Sequence, residues 1–418
     1  MPWAAAGARL QEGIFHSDRV CPRAHFGVIF LRASHGVSGA QVRETLGALW
    51  QMWSGLKRGE SPELPGVKLP QENLAVTLGY GPRAFCLDGM VCGTPGELAP
   101  SFLFRSPMPA GGGLVLPGSG LRYAPDVRVN LATEDFAVQF FADSPLAIER
   151  AIVESWALLH GHVDESTGVA PLQITSHFTG HTREDGRSWL GFHDGISNLQ
   201  PGEERLRAIV IKPTNRAEDA WTVGGSYFAF FRFAIDIESW RALDRKTQEL
   251  IVGRDKLSGA AITSLDAAGN PVTASGCPMH AAREVLPSTA TAADEPPDVS
   301  EEVLRQSHAQ RANHHRRDIE NRDSLRIFRQ SFEALESIDT PPRFRAALNF
   351  TCYQDTPERL VRLLTQPGWM GRTNFGGDPD APHPGMAALV TTRAAGIYLV
   401  PPCADGEAFP GSVAFPSA

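Results

Sequence analysis

Three short stretches carry residues whose types and spacing suit chemistry on a bound group. Gly191-Phe192-His193-Asp194-Gly195-Ile196-Ser197-Asn198 holds a carboxyl group between two glycines. Glycines on either side of an Asp make a tight turn whose backbone comes close to a flat ligand. An isolated Asp-Gly is also an ordinary turn. Ser307-His308-Ala309-Gln310-Arg311-Ala312-Asn313-His314-His315-Arg316-Arg317 gathers imidazoles and guanidiniums. His308 suits an axial metal ligand, a zinc ligand shared with His314 or His315, or a place in a solvated basic run; adjacent imidazoles rarely converge on one zinc ion. The third stretch is Leu325-Arg326-Ile327-Phe328-Arg329-Gln330-Ser331-Phe332. As a strand it points Phe328 and Arg329 to opposite faces. Arg329 is then either paired at a sheet edge or aimed into a polar pocket.

These residues need elements to position them, and the chain repeats itself where those elements fall. Residues 137–156 and 347–364 each read as an apolar strand, then Asp-Ser/Thr-Pro, then an amphipathic helix. Ser144 and Thr356 suit N-caps; Pro145 and Pro357, 212 positions apart, suit the first helical turn. A second pair lies upstream: a strand at 27–32 leading to a helix over 40–57, and a strand at 226–232 leading to a helix over 237–252. Further strands are expected at 73–79, 206–212 and 325–330. Two matches at similar spacing point to tandem duplication and an α+β chain of two lobes. We expect an N-terminal lobe over 1–165 and a C-terminal lobe over 166–418, with the joint in the His/Gly/Thr-rich stretch 160–185. Residues 264–300 read as a flexible loop, and 371–387 and the tail after Pro401 as weakly structured.

Length and composition agree. The chain has 418 residues, 42% of them hydrophobic and 21% charged, which excludes a largely disordered protein. A net charge of −8 argues against nucleic acid as a partner. No stretch reaches the roughly 18–20 apolar residues of a membrane span, and no leader pattern opens the sequence, so the expected location is cytoplasmic. Six scattered cysteines without a CxxC pair make neither a disulfide scaffold nor a zinc site.

Taken in order, the three stretches and their surroundings resemble the dye-decolorizing (DyP-type) haem peroxidase family. Gly191-Phe192-His193-Asp194-Gly195 resembles its GxxDG motif. Gly224-Gly225-Ser226-Tyr227, Asp236 to Trp240 and Gly253-Arg254-Asp255-Lys256-Leu257-Ser258-Gly259 resemble the run that follows it. Gly79-Tyr80-Gly81-Pro82 and Asp143-Ser144-Pro145 fit the first lobe, and Ala395 to Pro402 fits the last strand. The resemblance implies tandem ferredoxin-like lobes, each an antiparallel sheet with helices, and haem b (iron protoporphyrin IX) in the C-terminal lobe. It implies His308 as the axial ligand of the haem iron, and Asp194 and Arg329 as the distal pair.

The chemistry accounts for those residue types. A neutral imidazole gives iron an axial donor. A carboxylate such as Asp194 shuttles a proton between the two oxygens of hydrogen peroxide. A guanidinium such as Arg329 stabilises the negative charge that develops as they part. The implied activity is peroxide-dependent oxidation of a small organic donor, a dye or phenol, with an acidic optimum; a homo-oligomer is in keeping with the family. Arg311 and Arg316 are candidates for the haem propionates, and His193 and Asn198 for contacts at the haem edge. The pattern departs from the family after His308, where Gln310 and Asn313-His314-His315-Arg316 replace the usual residues, and at His193 and Ser331. Those departures motivate an alternative, a haem-binding or haem-handling protein with little turnover. Asp378 and Asp380 are candidates for the carboxylate behind the axial imidazole. Trp240, Tyr227, Tyr353, Trp369 and Tyr398 read as core before electron relays.

Overall fold

The computed structural model describes residues 7–17, 24–98, 122–123, 134–163, 168–213, 215–273, 298–312, 326–364 and 389–416. Eleven strands run in chain order among them: β1 His25–Ala33, β2 Ala75–Tyr80, β3 Arg122–Tyr123, β4 Phe136–Ala142, β5 Leu172–His181, β6 Ser226–Ile235, β7 Ile262–Leu265, β8 Pro271–Thr273, β9 Phe328–Ser337, β10 Phe344–Gln354 and β11 Val390–Val400. The α-helices are α1 Gly39–Lys57, α2 Pro145–Gly161, α3 Glu203–Ile209, α4 Ile237–Ala242, α5 Arg245–Val252, α6 Glu302–Arg305, α7 His308–Ala312 and α8 Glu358–Leu364.

Nine strands join one antiparallel sheet in the order β2-β4-β1-β5-β9-β10-β6-β11-β3, and β2 also pairs with β11. The first four strands and the next four therefore repeat one order, each from a strand–helix–strand–strand–helix–strand run. Two narrow seams join the halves: His181 opposite Glu333, and Leu399 opposite Tyr80. The eight strands close into a ring.

Closure explains the burial pattern. β2 and β4 are buried at every position, because both faces are covered. Alternate residues serve different cores. Ile29, Val138, Phe140 and Leu78 face outward toward α1 and α2. Phe26, Phe30, Phe141, Phe228, Phe230, Phe332 and Tyr398 fill the interior of the ring. α1 is started by a reciprocal cap between Ser38 and Gln41 and buries Val42, Leu46, Leu49, Trp53 and Leu56 at helical spacing. α2 has Ser144 as its N-cap, accepting from Leu146 N–H, with Pro145 in the first turn. At the matching corner Thr356 Oγ1 accepts from Glu358 N–H at 3.3 Å.

Several expectations are corrected. Residues 206–212 are not a strand: α3 starts after Gly202 with Glu203 and Glu204 in its first turn, and its buried Leu206, Ala208 and Ile209 read equally well as a strand. The helix over 237–252 is two helices, because Asp244 caps a fresh start at Thr247 N–H. Within the stretch 160–185, β5 pairs with β1 along its whole length. The tail folds back, burying Phe409, Ala414 and Phe415. The loop at 264–300 opens with the β7–β8 hairpin; its 274–297 stretch and residues 371–387 lie outside the described residues. Trp240, Tyr227, Tyr353 and Tyr398 are buried, and Trp369 lies outside the described residues.

Candidate active site

A cavity of about 220 Å³ opens on the outer face of the second half's sheet. In the first half, α1 and α2, of 19 and 17 residues, pack on the corresponding face. Two of their counterparts, α4 and α5, have 6 and 8 residues. The cavity lies on this face of the second half. Its floor is apolar: Phe231, Phe233, Ile235, Leu348, Phe350 and Val390.

The period of a strand sets the polar wall. Along β9, Arg329, Ser331 and Glu333 line the cavity. Phe328, Gln330 and Phe332 turn the other way, the two rings into the interior core and the Gln330 side chain onto Gly13 O and Phe15 N–H. Arg329 therefore faces a pocket and not a sheet edge. Burial pulls its guanidinium below the ordinary value, and the Asp194 carboxylate partly restores it. The guanidinium remains charged at any working pH.

Asp194 sits on a fixed turn. Gly191 (φ 85°) and Gly195 (φ 78°) take left-handed backbone that disfavours other residues. Asp194 N–H donates to Gly186 O (2.9 Å), and Gly195 N–H donates to Asp194 Oδ1 (2.7 Å). Arg187 staples this turn to residues 256–257, donating to Gly191 O, Lys256 O and Leu257 O and to His193 Nε2. Asn198 ties the turn to β9: its Nδ2 donates to Arg329 O (2.8 Å) and its Oδ1 accepts from Arg329 N–H (3.2 Å). Arg329 Nη2 adds a bond to Ile196 O (3.0 Å). Asp194 and Arg329, 135 positions apart in sequence, thus belong to one hydrogen-bonded unit.

His308 opens α7 and lines the same cavity. The residues around it pack against Gly253 (φ 82°), where a Cβ would meet Ser307 Oγ at 2.3 Å and Ala309 Cβ at 3.2 Å. That close approach carries His308 to the cavity, and no larger residue permits it.

A family model described as Dyp-type peroxidase, C-terminal, matches residues 185–405, from the start of the Asp194 turn to beyond β11. The chain belongs to this family. Curated relatives named Deferrochelatase, from Escherichia coli strains UTI89 and K12, are 39% identical over 77 residues and 40% over 72. The matched stretch spans 18% or 17% of this chain and the same share of those relatives. Among solved structures, DtpA from Streptomyces lividans covers 100% of both chains at 21% identity and a TM-score of 0.65. A DyP-type peroxidase from Streptomyces coelicolor covers 97% of both at 22% and 0.64. At that identity the likeness is one of fold.

Within the Dyp-type fold, the cavity brings together Asp194, Arg329, His308 and His193. It does not bring in two others. Asn198 is spent on the Arg329 backbone and does not line the cavity. Arg311 is buried off the lining, its guanidinium pulled below its ordinary value by burial. Arg316, His314, His315, Asp378 and Asp380 lie outside the described residues.

Three polar residues at the cavity escaped sequence reasoning. Arg254 donates to Gly259 O and to Ser197 Oγ, both at 2.8 Å. Arg326 pairs with Glu204 and is pulled below its ordinary value by burial. Glu333 is 4% exposed, and neither carboxyl oxygen has a hydrogen-bond partner among the described residues. Burial, helped by the Asp194 charge, pushes it up to about 8; the Trp189 backbone N–H pulls the other way without hydrogen-bond geometry. The period-two pattern from Arg329 was the signal for Glu333.

Proposed function

We propose that this chain is a haem peroxidase that uses hydrogen peroxide to oxidise small organic donors such as dyes and phenols. The observation that carries the reading is that His308, Asp194 and Arg329 reach one cavity from α7, the 191–195 turn and β9. We read the chain as two tandem ferredoxin-like lobes divided after β5, with haem in the second; the repeated strand order supports this.

The cavity suits haem. An apolar floor matches the macrocycle, and His308 on the cavity lining is the residue that would hold the iron. Arg254 and Arg326, guanidiniums on the cavity wall, suit the two propionates. Haem, when bound, supplies an iron centre at which the peroxide bond is broken and to which an organic donor gives electrons. The chain's own residues do the rest. Gly195 N–H occupies Asp194 Oδ1 and leaves Oδ2 to take a proton from peroxide and return it to the departing water oxygen. Arg329, held at its backbone by Asn198, stabilises the charge that builds on those oxygens. Leu190, Ile196 and the apolar floor keep bulk water away.

The test is to purify the protein from cells supplied with haem. We expect a Soret band and peroxide-dependent oxidation of a dye, fastest at acidic pH. His308→Ala should lose the axial signature. Asp194→Asn and Arg329→Leu should keep haem and lose turnover by about a hundredfold or more. No Soret band would sink the reading. A second reading is haem handling with little turnover, favoured by the name Deferrochelatase on the curated relatives. Tight haem binding without dye oxidation would select it.

A further inference from the structure

Glu333 has no task in the mechanism above, yet strand alternation sets it on the same cavity wall as Arg329, four positions along β9. A carboxyl this deeply buried needs a cation or several donors to remain ionised. It has neither. Among the described residues its oxygens accept no hydrogen bond. The charged groups that act on it are Asp194 from the turn and Arg183 and Asp185 from the segment after β5. Arg183 is already paired with Asp185. Within its own half β10 places Leu348 opposite it, and across the seam β5 places His181, whose imidazole burial pulls below its ordinary value. Arg232 and Arg345, further along the sheet, are both bound to Glu336. The surroundings favour the neutral acid, which carries an O–H to donate.

We propose that Glu333 is a second proton-bearing group of the cavity, the acid that supplies protons consumed when peroxide is reduced. The proposal rests on the peroxidase reading. Reducing one hydrogen peroxide to two waters breaks the O–O bond and consumes two electrons and two protons. The electrons come from two molecules of organic donor. Asp194 moves a proton from one peroxide oxygen to the other and adds none. Glu333 gives up its carboxyl proton, becomes a carboxylate beside Asp194, and regains a proton from water on the side of the partly exposed Arg183–Asp185 pair. The like charge of Asp194 makes that return favourable.

The experiment compares full-length, haem-loaded wild type with Glu333→Gln and Glu333→Asp. Gln keeps the shape and an N–H donor but has no proton to release. We expect Glu333→Gln to keep the wild-type Soret band, to lose about tenfold or more in kcat for dye oxidation, and to lack the wild-type fall in activity near pH 8. Infrared titration supplies a readout apart from turnover. The wild type should show a protonated-carboxyl band that disappears near pH 8, absent from Glu333→Gln. Glu333→Asp should restore both the band and the alkaline fall. A Gln variant with wild-type kcat and pH profile, or with the infrared band intact, overturns this proposal alone. A wild type that binds no haem overturns the peroxidase reading and this one with it.

Discussion

A single carboxyl makes the cavity's electrostatics visible in stability. The pKa of Glu333 rises from 4.5 to about 8 on folding, chiefly through burial. Between those values the folded chain holds one more proton than the unfolded chain, so stability falls as pH rises through that window and is level below it. The loss amounts to at most about 5 kcal/mol. Urea unfolding of the haem-free chain at about pH 5 and about pH 8.5 should show it, and Glu333→Gln should reduce the difference to the share left by Glu97, which burial raises to about 7. Equal slopes in both proteins would contradict the assignment. The same scale shows what residue types can and cannot announce. Asp194 between glycines and Arg329 beside Phe328 were legible, because turn chemistry and strand period are local. The task of Asn198 was not, because its partner is the backbone of residue 329.

At the scale of elements, His308 reaches the cavity because α7 is drawn close to Gly253. A Cβ at Gly253 adds left-handed strain of roughly 1–2 kcal/mol and meets the Ser307 side chain. Gly253→Ala should therefore displace the His308 turn, lower haem affinity and alter the axial spectrum, with the sheet unchanged by circular dichroism. Unaltered haem affinity would count against this packing. The strand–Asp-Ser/Thr-Pro–helix corners were readable in the sequence and form as expected, since caps act within a few residues. The misread elements, 206–212 and 237–252, are short apolar or amphipathic runs. Their period cannot separate a buried helix from a strand, or one helix from two.

The whole molecule holds the site through the contact between its halves. Phe332 stacks on Phe26 of the first half at 4.7 Å and meets Phe141 at 5.9 Å. It also sits between Ser331 and Glu333 on β9. Phe332→Ala should cost about 3–5 kcal/mol, read as a lowered Tm, and should weaken haem binding although the residue faces away from the cavity. A stability loss with haem affinity intact would show that the interior core and the site are independent. The seams that close the ring are single residue pairs. Interior aromatics, more than strand hydrogen bonds, therefore join the halves.

What the sequence determined by itself is whatever local chemistry dictates: the glycine-flanked turn of Asp194, the capped helix starts, the strand faces, and the repeat that implies two similar halves. The tertiary structure alone decided that the sheet closes on itself, that β5 pairs with β1, and that Glu333, Arg254 and Arg326 face the cavity with Asp194. Those outcomes depend on contacts between residues 57 or more positions apart in sequence. No local period or propensity encodes such pairing; it follows from which apolar faces can be buried together.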